Sequence, residues 1–218
     1  MVRLDLHTHS TYSPDGGLDL ADYRAALKTK LDYIAVTDHD TTRGALKLKR
    51  VLGGRIIVGQ EISSLAGEII GLYLKSDVAP GLSAEETVRQ IHAQGGLVLV
   101  PHPFERWQRF SLFPVRHPQL IRQFDIIETY NSRSISIAGP LKSRRFARRH
   151  NLPQAASSDA HGPAGLGRSY TLIKSAPTRD NLLGQLKAAR LVTAKTTLTG
   201  YLEPARNRRA KIRSNSRG

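Results

Sequence analysis

Leu4-Asp5-Leu6-His7-Thr8-His9-Ser10, running on to Ser13-Pro14-Asp15-Gly16, is the stretch from which the fold can be read. A short apolar, β-favouring start delivers two histidines spaced i, i+2. Residues with that spacing on a strand point to one side. His7 and His9 therefore converge at the strand's C-terminal end, and two imidazoles so held are half of a metal site. Pro14-Asp15-Gly16 has the composition of a turn, which brings Asp15 back towards the same end.

Working outward, the arrangement recurs. Tyr33-Ile34-Ala35-Val36 is a short β-leaning run that ends in Thr37-Asp38-His39-Asp40. Glu61 stands at the end of the apolar run from Arg55, and Leu97-Val98-Leu99-Val100 ends in Pro101-His102-Pro103. Phe124 to Asn131 and Gln154 to His161 close in the same way, the second on Asp159 and His161. Further strands are expected over 68–74 and 168–174, with strand and connector over 191–201. The spacing predicts helices over 18–30, 42–52, 84–93, 137–150 and 178–189. Strands alternating with helices argue for a parallel α/β arrangement. Polar, ligand-capable residues at successive strand ends are what a βα barrel predicts. With 218 residues the chain is short for eight full units, so a smaller or distorted barrel is expected.

Collected together, the ligand-capable groups are His7, His9, Asp15, His39, Glu61, His102, Asn131, Asp159 and His161. They exceed the three or four that one catalytic ion needs, so two or three ions bridged by a carboxylate are the economical reading. His92, His117 and His150 fall in helices or Pro-flanked loops and read as ordinary histidines. The chain has no cysteine, so any metal is held by nitrogen and oxygen, which suits Zn, Mn or Fe. Asp38 and Asp40 flank His39 and read as supporting carboxylates that orient an imidazole.

The formal charge is +15, and the excess is localised. Lys142, Arg144, Arg145, Arg148 and Arg149 form one cluster without an acid among them, and Arg206, Arg208, Arg209, Lys211, Arg213 and Arg217 crowd the end of the chain. Both clusters suit phosphate-rich ligands or nucleic acid, or else a solvated face and tail. After Pro204 apolar periodicity stops, so a domain over 1–203 followed by a disordered basic tail over 204–218 is expected. No stretch approaches the ~20 apolar residues of a membrane helix, and the start lacks the pattern of a signal peptide. The expected compartment is the cytoplasm.

His-Thr-His-Ser, Thr-Asp-His-Asp, Gly-Gln-Glu-Ile-Ser, Pro-His-Pro and Ser-Asp-Ala-His, in this order and spacing, resemble the motifs of the PHP family (polymerase and histidinol phosphatase). The resemblance covers about residues 2 to 200. It implies a distorted (β/α)7 TIM-like barrel, a trinuclear metal site and phosphoesterase activity. It also implies one ion on His7, His9, Glu61 and Asp159, and a second on Asp15, His39 and His161. A third would be bridged by Glu61 and held with His102 and a residue of the 128–131 segment, for which Asn131 is favoured over Glu128 and Tyr130.

Ions in such a site acidify a bound water and clamp a phosphate. Cations near the mouth then neutralise the phosphate oxygens, with Arg106, Arg133 and Arg168 as the candidates. Trp107, Phe110 and Phe113 stack a base or pack their own loop. The expected substrate is a nucleotide, the 5′ end of a nucleic-acid strand or a small phosphomonoester. Two alternatives compete: a metal-stabilised scaffold for nucleic acid or a polymerase, and an amidohydrolase cleaving C–N bonds. The second wants a lysine at a strand end, where this chain has Glu61.

Overall fold

The computed structural model describes residues 1–105 and 114–215. Its strands are β1 (Val2–Asp5), β2 (Tyr33–Val36), β3 (Ile56–Ser64), β4 (Gly67–Leu72), β5 (Leu97–Val100), β6 (Ile126–Asn131), β7 (Gln154–Ser157), β8 (Tyr170–Ile173) and β9 (Arg190–Val192). The helices are α1 (Leu20–Thr29), α2 (Arg43–Leu52), α3 (Ala84–Ala93), α4 (Ala138–Arg149), α5 (Leu182–Lys187) and α6 (Leu198–Asn215).

Side-chain chemistry explains the helix starts. Asp19 caps α1 by accepting from the amides of Ala21 and Asp22, while Asp22 reaches back to the Asp19 amide. Ser83 caps α3 through the Glu86 amide.

The strands form one sheet in the order β7-β6-β5-β4-β3-β2-β1-β8-β9. β1, β2 and β3 run parallel, as do β5, β6 and β7. β4 is antiparallel to both its neighbours, and β8 is antiparallel to β1. The expected parallel arrangement is interrupted at β4: only Leu65 and Ala66 separate it from β3, which permits a hairpin and no crossover helix. The sheet nearly closes on itself. Thr171 of β8 accepts from the Ala156 amide of β7 at 2.9 Å and donates to the Ala156 carbonyl at 3.0 Å. The result is the distorted, TIM-like barrel expected of the sequence.

Two apolar clusters flank the sheet. Ile34, Val36, Val58, Val98 and Ile127 pack outward against Leu27, Leu48, Val88, Ile91 and Phe146 of the helices. Ala35, Ile57, Ile70, Leu72, Leu99 and Ile126 fill the interior, closed below by Leu182 and Leu186 of α5. Alternate strand residues thus serve opposite layers. Burying one such side chain contributes about 1.5–3 kcal/mol.

The end of the chain departs from expectation. α6 spans residue 204, so a boundary there and a disordered tail beyond it are both corrected. The helix is fixed by polar anchors rather than apolar periodicity. Asn207 Nδ2 donates to the carbonyls of Asp15 at 2.9 Å and His161 at 2.8 Å. Lys211 Nζ donates to the carbonyls of Thr11, Ser13 and Gly16. Among the described residues, no helix is long and apolar enough to cross a membrane.

Candidate metal centre

The C-terminal ends of β1, β2, β3, β5 and β7, and the start of β4, meet at one mouth. His7 and His9 face each other there with their Nε2 atoms 3.1 Å apart. Glu61 Oε2 lies 3.3 Å from both, and Asp159 Oδ1 lies 3.5 and 3.3 Å away. Asp15 Oδ1 is 3.6 Å from Nε2 of both His39 and His161. Glu61 Oε1 lies 3.3 Å from His102 Nε2, and Glu61 Oε2 lies 3.3 Å from His39 Nδ1. Glu61 therefore borders His7, His9, His39 and His102 at once, the position of a bridging carboxylate.

The imidazoles are held from behind. Glu128 Oε1 lies 3.2 Å from His7 Nδ1, and Glu128 Oε2 accepts from the His102 amide at 2.8 Å. Ser13 Oγ lies 3.2 Å from His9 Nδ1. His161 Nδ1 is 3.0 Å from the Asp159 carbonyl, which can only accept. His161 therefore carries its proton on Nδ1 and turns a lone pair on Nε2 towards Asp15. Asp40, His102 and Asp159 adopt φ of 57°, 29° and 51°. Backbone strain of this kind persists where the surroundings over-determine it, and it clusters at functional sites. Gly16 allows the turn that delivers Asp15, because a Cβ there would collide with the Ser10 carbonyl.

The electrostatics are those of charges in want of a partner. Burial pulls His7 and His9 down, yet the surrounding carboxylates raise His7 well above the usual imidazole range and His9 to about 9. Burial depresses His39 and, with the His9 charge, holds His161 well down. Burial, followed by the charge of Glu61, pushes Glu68 up to about 8. Burial works against ionised Glu61 and Asp159, but the histidines hold both far below the usual carboxylate range. Asp15 Oδ1 is buried without a hydrogen-bond donor. Oxygen and nitrogen donors converging on shared points, without thiolate, fit divalent ions of the Zn, Mn or Fe type.

Each sequence candidate can now be located. His7, His9, Asp15, His39, Glu61, His102, Asp159 and His161 come together. Asn131 reaches the same end: its amide nitrogen donates to Glu128 Oε2 at 2.9 Å and Asp159 Oδ2 at 3.2 Å, and its oxygen accepts from the Arg133 amide at 2.8 Å. The amide nitrogen thus holds two carboxylates, and the oxygen is taken by the backbone of the turn. Asp38 and Asp40, expected to orient an imidazole, pair with serines. Asp38 accepts from the amide and hydroxyl of Ser10, and Asp40 from those of Ser63, so both fix loops. Arg133 lines the mouth, its Nε 3.6 Å from Asp159 Oδ2. Arg168 is corrected: its guanidinium donates to the Lys195 carbonyl at the surface. Arg106, Trp107, Phe110 and Phe113 lie outside the described residues.

Glu68 was missed. It reads from sequence as a strand-end group, yet its carboxylate lies 3.9 Å from His39 and 3.6 Å from His102. The available signal was its parity with Ile70 and Leu72, together with the short hairpin: an antiparallel β4 presents its first residues, not its last, to the mouth. Tyr201 and Arg208 of α6 were missed as well. Both line the cleft, which has a volume of about 540 Å³.

The barrel thus carries at its mouth a buried His/Asp/Glu array suited to holding divalent ions. A family model described as PHP-associated matches residues 141–191. The uncharacterized protein MJ0417 of Methanocaldococcus jannaschii is 30% identical over 177 residues, covering 78% of this chain and 69% of that protein. A two-domain protein from Bacteroides vulgatus, containing a predicted PHP-like metal-dependent phosphoesterase, superposes with a TM-score of 0.65 at 21% identity, over 95% of this chain and 63% of its own. An amidohydrolase from Chromobacterium violaceum, solved with sulfate and no metal, gives a TM-score of 0.60 at 20% identity, over 87% of this chain and 97% of its own. The chain belongs to the PHP family.

Proposed function

We propose that this chain is a metal-dependent phosphoesterase. The observation that carries the reading is Glu61, whose two oxygens border three imidazole-rich groups at once. His7, His9, Glu61 and Asp159 would hold one ion; Asp15, His39 and His161 a second; His102, Glu61 and Glu68 a third. Bound ions would acidify a water and offset phosphate charge. Glu128 and Ser13 keep His7 and His9 aimed, and the His161 tautomer keeps its Nε2 lone pair available. Arg133 carries a positive charge for a phosphate oxygen beside Asp159. Hydrolysis adds the oxygen of water to phosphorus, breaks the ester P–O bond and returns a proton to the departing oxygen.

The Chromobacterium violaceum protein of this fold holds sulfate, a tetrahedral oxyanion like phosphate. The exposed cations Lys142, Arg145, Arg148 and Arg149 of α4 favour anionic substrates generally. The amidohydrolase reading lacks its lysine: among the described residues lining the cleft there is none.

The test is phosphate release by protein loaded with Mn, Zn or Fe, on p-nitrophenyl phosphate, nucleoside mono- and bisphosphates, histidinol phosphate and 5′-phosphorylated oligonucleotides. The His9→Ala, Asp159→Ala double variant serves as the blank. Metal-dependent turnover absent from the blank is the expected result. Metal bound without turnover on any substrate would transfer the weight to a scaffold.

A further inference from the structure

α4 carries a second concavity, which the metal centre does not use. Ile137, Pro140, Leu141 and Arg144 line it, and their i, i+3, i+4, i+7 spacing makes them one helix face. Thr193 and Lys195, in the connector between β9 and α6, form the other wall, and Tyr130 of β6 completes the groove. The described residues lining it include no histidine and no carboxylate. The connector is fixed in place. Ser169 Oγ donates to the Ala194 carbonyl and accepts from its amide, both at 2.9 Å. The Lys195 carbonyl accepts from Arg168 at 3.2 Å, and the Thr196 amide donates to the Ser132 carbonyl at 2.8 Å. The groove is therefore preformed.

It joins exposed aliphatic surface to positive charge that has no counter-ion. Ile137 is 76% exposed, Leu141 60%, and Ile135 at the rim 58%. Single exposed aliphatics are ordinary, but several around one concavity mark a contact surface. Arg144 is half-buried, and among the described residues nothing accepts a hydrogen bond from its guanidinium. A cation that has given up part of its hydration in this way is costly until an anion meets it. Lys195 Nζ reaches the Ile135 carbonyl at 3.5 Å, longer than an ordinary hydrogen bond. Arg145 and Arg148 continue the stripe from Leu141 at i+4 and i+7, both exposed, and α4 contains no acid.

We propose that this groove docks an acidic, amphipathic peptide segment of a partner protein. Large apolar side chains of the segment fill the cavity against Ile137 and Leu141, and its carboxylates meet Arg144 and Lys195. The other occupants each leave part of the surface unmet. A nucleic-acid backbone satisfies the cations but leaves three aliphatic side chains in water. A second copy of this chain brings the same cations to the same face, since a two-fold contact pairs a patch with itself. The cavity volume of about 330 Å³ is at the small end of the roughly 300–1,000 Å³ typical of ligand pockets. Ile135 lies beyond its lining, so a segment that spreads over the rim covers apolar surface that a small molecule leaves bare. The docking groove stands whether or not the phosphoesterase reading does.

The experiment selects random phage-displayed peptides on the full, immobilised chain. Enriched peptides are synthesised with a fluorescent label, and their binding is followed by anisotropy at physiological salt, where distant charges are screened. The proteins compared are the wild type, Arg144→Glu, Ile137→Ser and Arg24→Glu, the last making the same charge change at an exposed position of α1. Circular dichroism checks that all four are folded. The enriched peptides should combine acidic with large apolar residues. Arg144→Glu and Ile137→Ser should each raise Kd by about tenfold or more, and Arg24→Glu should leave it unchanged. Peptides that bind all four proteins alike overturn the proposal, as does enrichment of peptides without acids. A single-stranded oligonucleotide that displaces the peptide, and that loses affinity in Arg144→Glu but not in Ile137→Ser, overturns it in favour of nucleic acid. A wild-type dimer in ultracentrifugation that Ile137→Ser abolishes overturns it in favour of a second copy.

Discussion

The two ends of the barrel use the same residue types to opposite ends. At the N-terminal end, Arg3 and Asp32 close on each other: the Arg3 amide, Nε and Nη2 all donate to the Asp32 carboxylate at 2.8–3.1 Å. Beside them, Arg55 donates to the carbonyls of Leu27, Leu31 and Asp32. At the C-terminal end, Asp15, Glu61, Glu68 and Asp159 crowd five histidines, and the pKa values are driven apart in both directions. One end is finished by its own side chains. The other is arranged for a guest: it combines left-handed backbones at His102 and Asp159 with a buried Asp15 oxygen that has no donor. Consistency is relaxed where the molecule works and kept where it only has to stand.

The comparison breaks first at Glu61. Glu61→Gln keeps the shape but removes the bridging charge, so metal-dependent turnover should fall by more than the roughly 10–100-fold expected of an outer partner. A milder loss, measured as initial rates under saturating Mn, would mean that no ion depends on Glu61. Glu128→Gln should itself show that outer-partner effect, about 10–100-fold in metal affinity by competition with a chelating dye, with the fold intact by circular dichroism. A guest-ready end should also be steadied by its guest. At about a hundred times its Kd, an ion adds about 2.7 kcal/mol, which for a chain of this size raises Tm by roughly 5–10 °C. A thermal scan showing no shift under Zn, Mn or Fe would leave the mouth without the metal site that distinguishes it.

How much of this could be read beforehand differs between the ends for a physical reason. His7, His9, His39, Glu61, His102, Asp159 and His161 were legible because strand periodicity fixes side and strand order fixes end. Glu68 was not, since its position depends on β4 reversing after a two-residue turn. Arg208 and Tyr201 depend on where a helix docks, and α6 docks through Asn207 and Lys211 donating to backbone carbonyls, contacts that leave no hydrophobic pattern. Asn131 was found at the right end, but sequence does not reveal whether an amide offers its oxygen or its nitrogen. The Arg3–Asp32 pair, separated by 29 residues, left no pattern either.

That pair gives the smallest effect and the sharpest contrast. Hydrogen bonds from Arg3 hold the Asp32 carboxyl below its usual value. A depressed folded pKa contributes stability that is fully present above the unfolded value of about 3.8 and is lost as pH falls through the folded one. Both side chains are one-third exposed, so water screens most of the attraction. The pair is then worth about 0.5 kcal/mol at neutral pH. Asp32→Asn should lower the urea midpoint slightly at pH 7, and its difference from the wild type should shrink towards zero as pH falls below about 4. The metal-loaded mouth should be indifferent to the substitution, with turnover unchanged. A difference that grew on acidification would mean that Asp32 is stabilised as the acid, and the two ends would no longer be opposites.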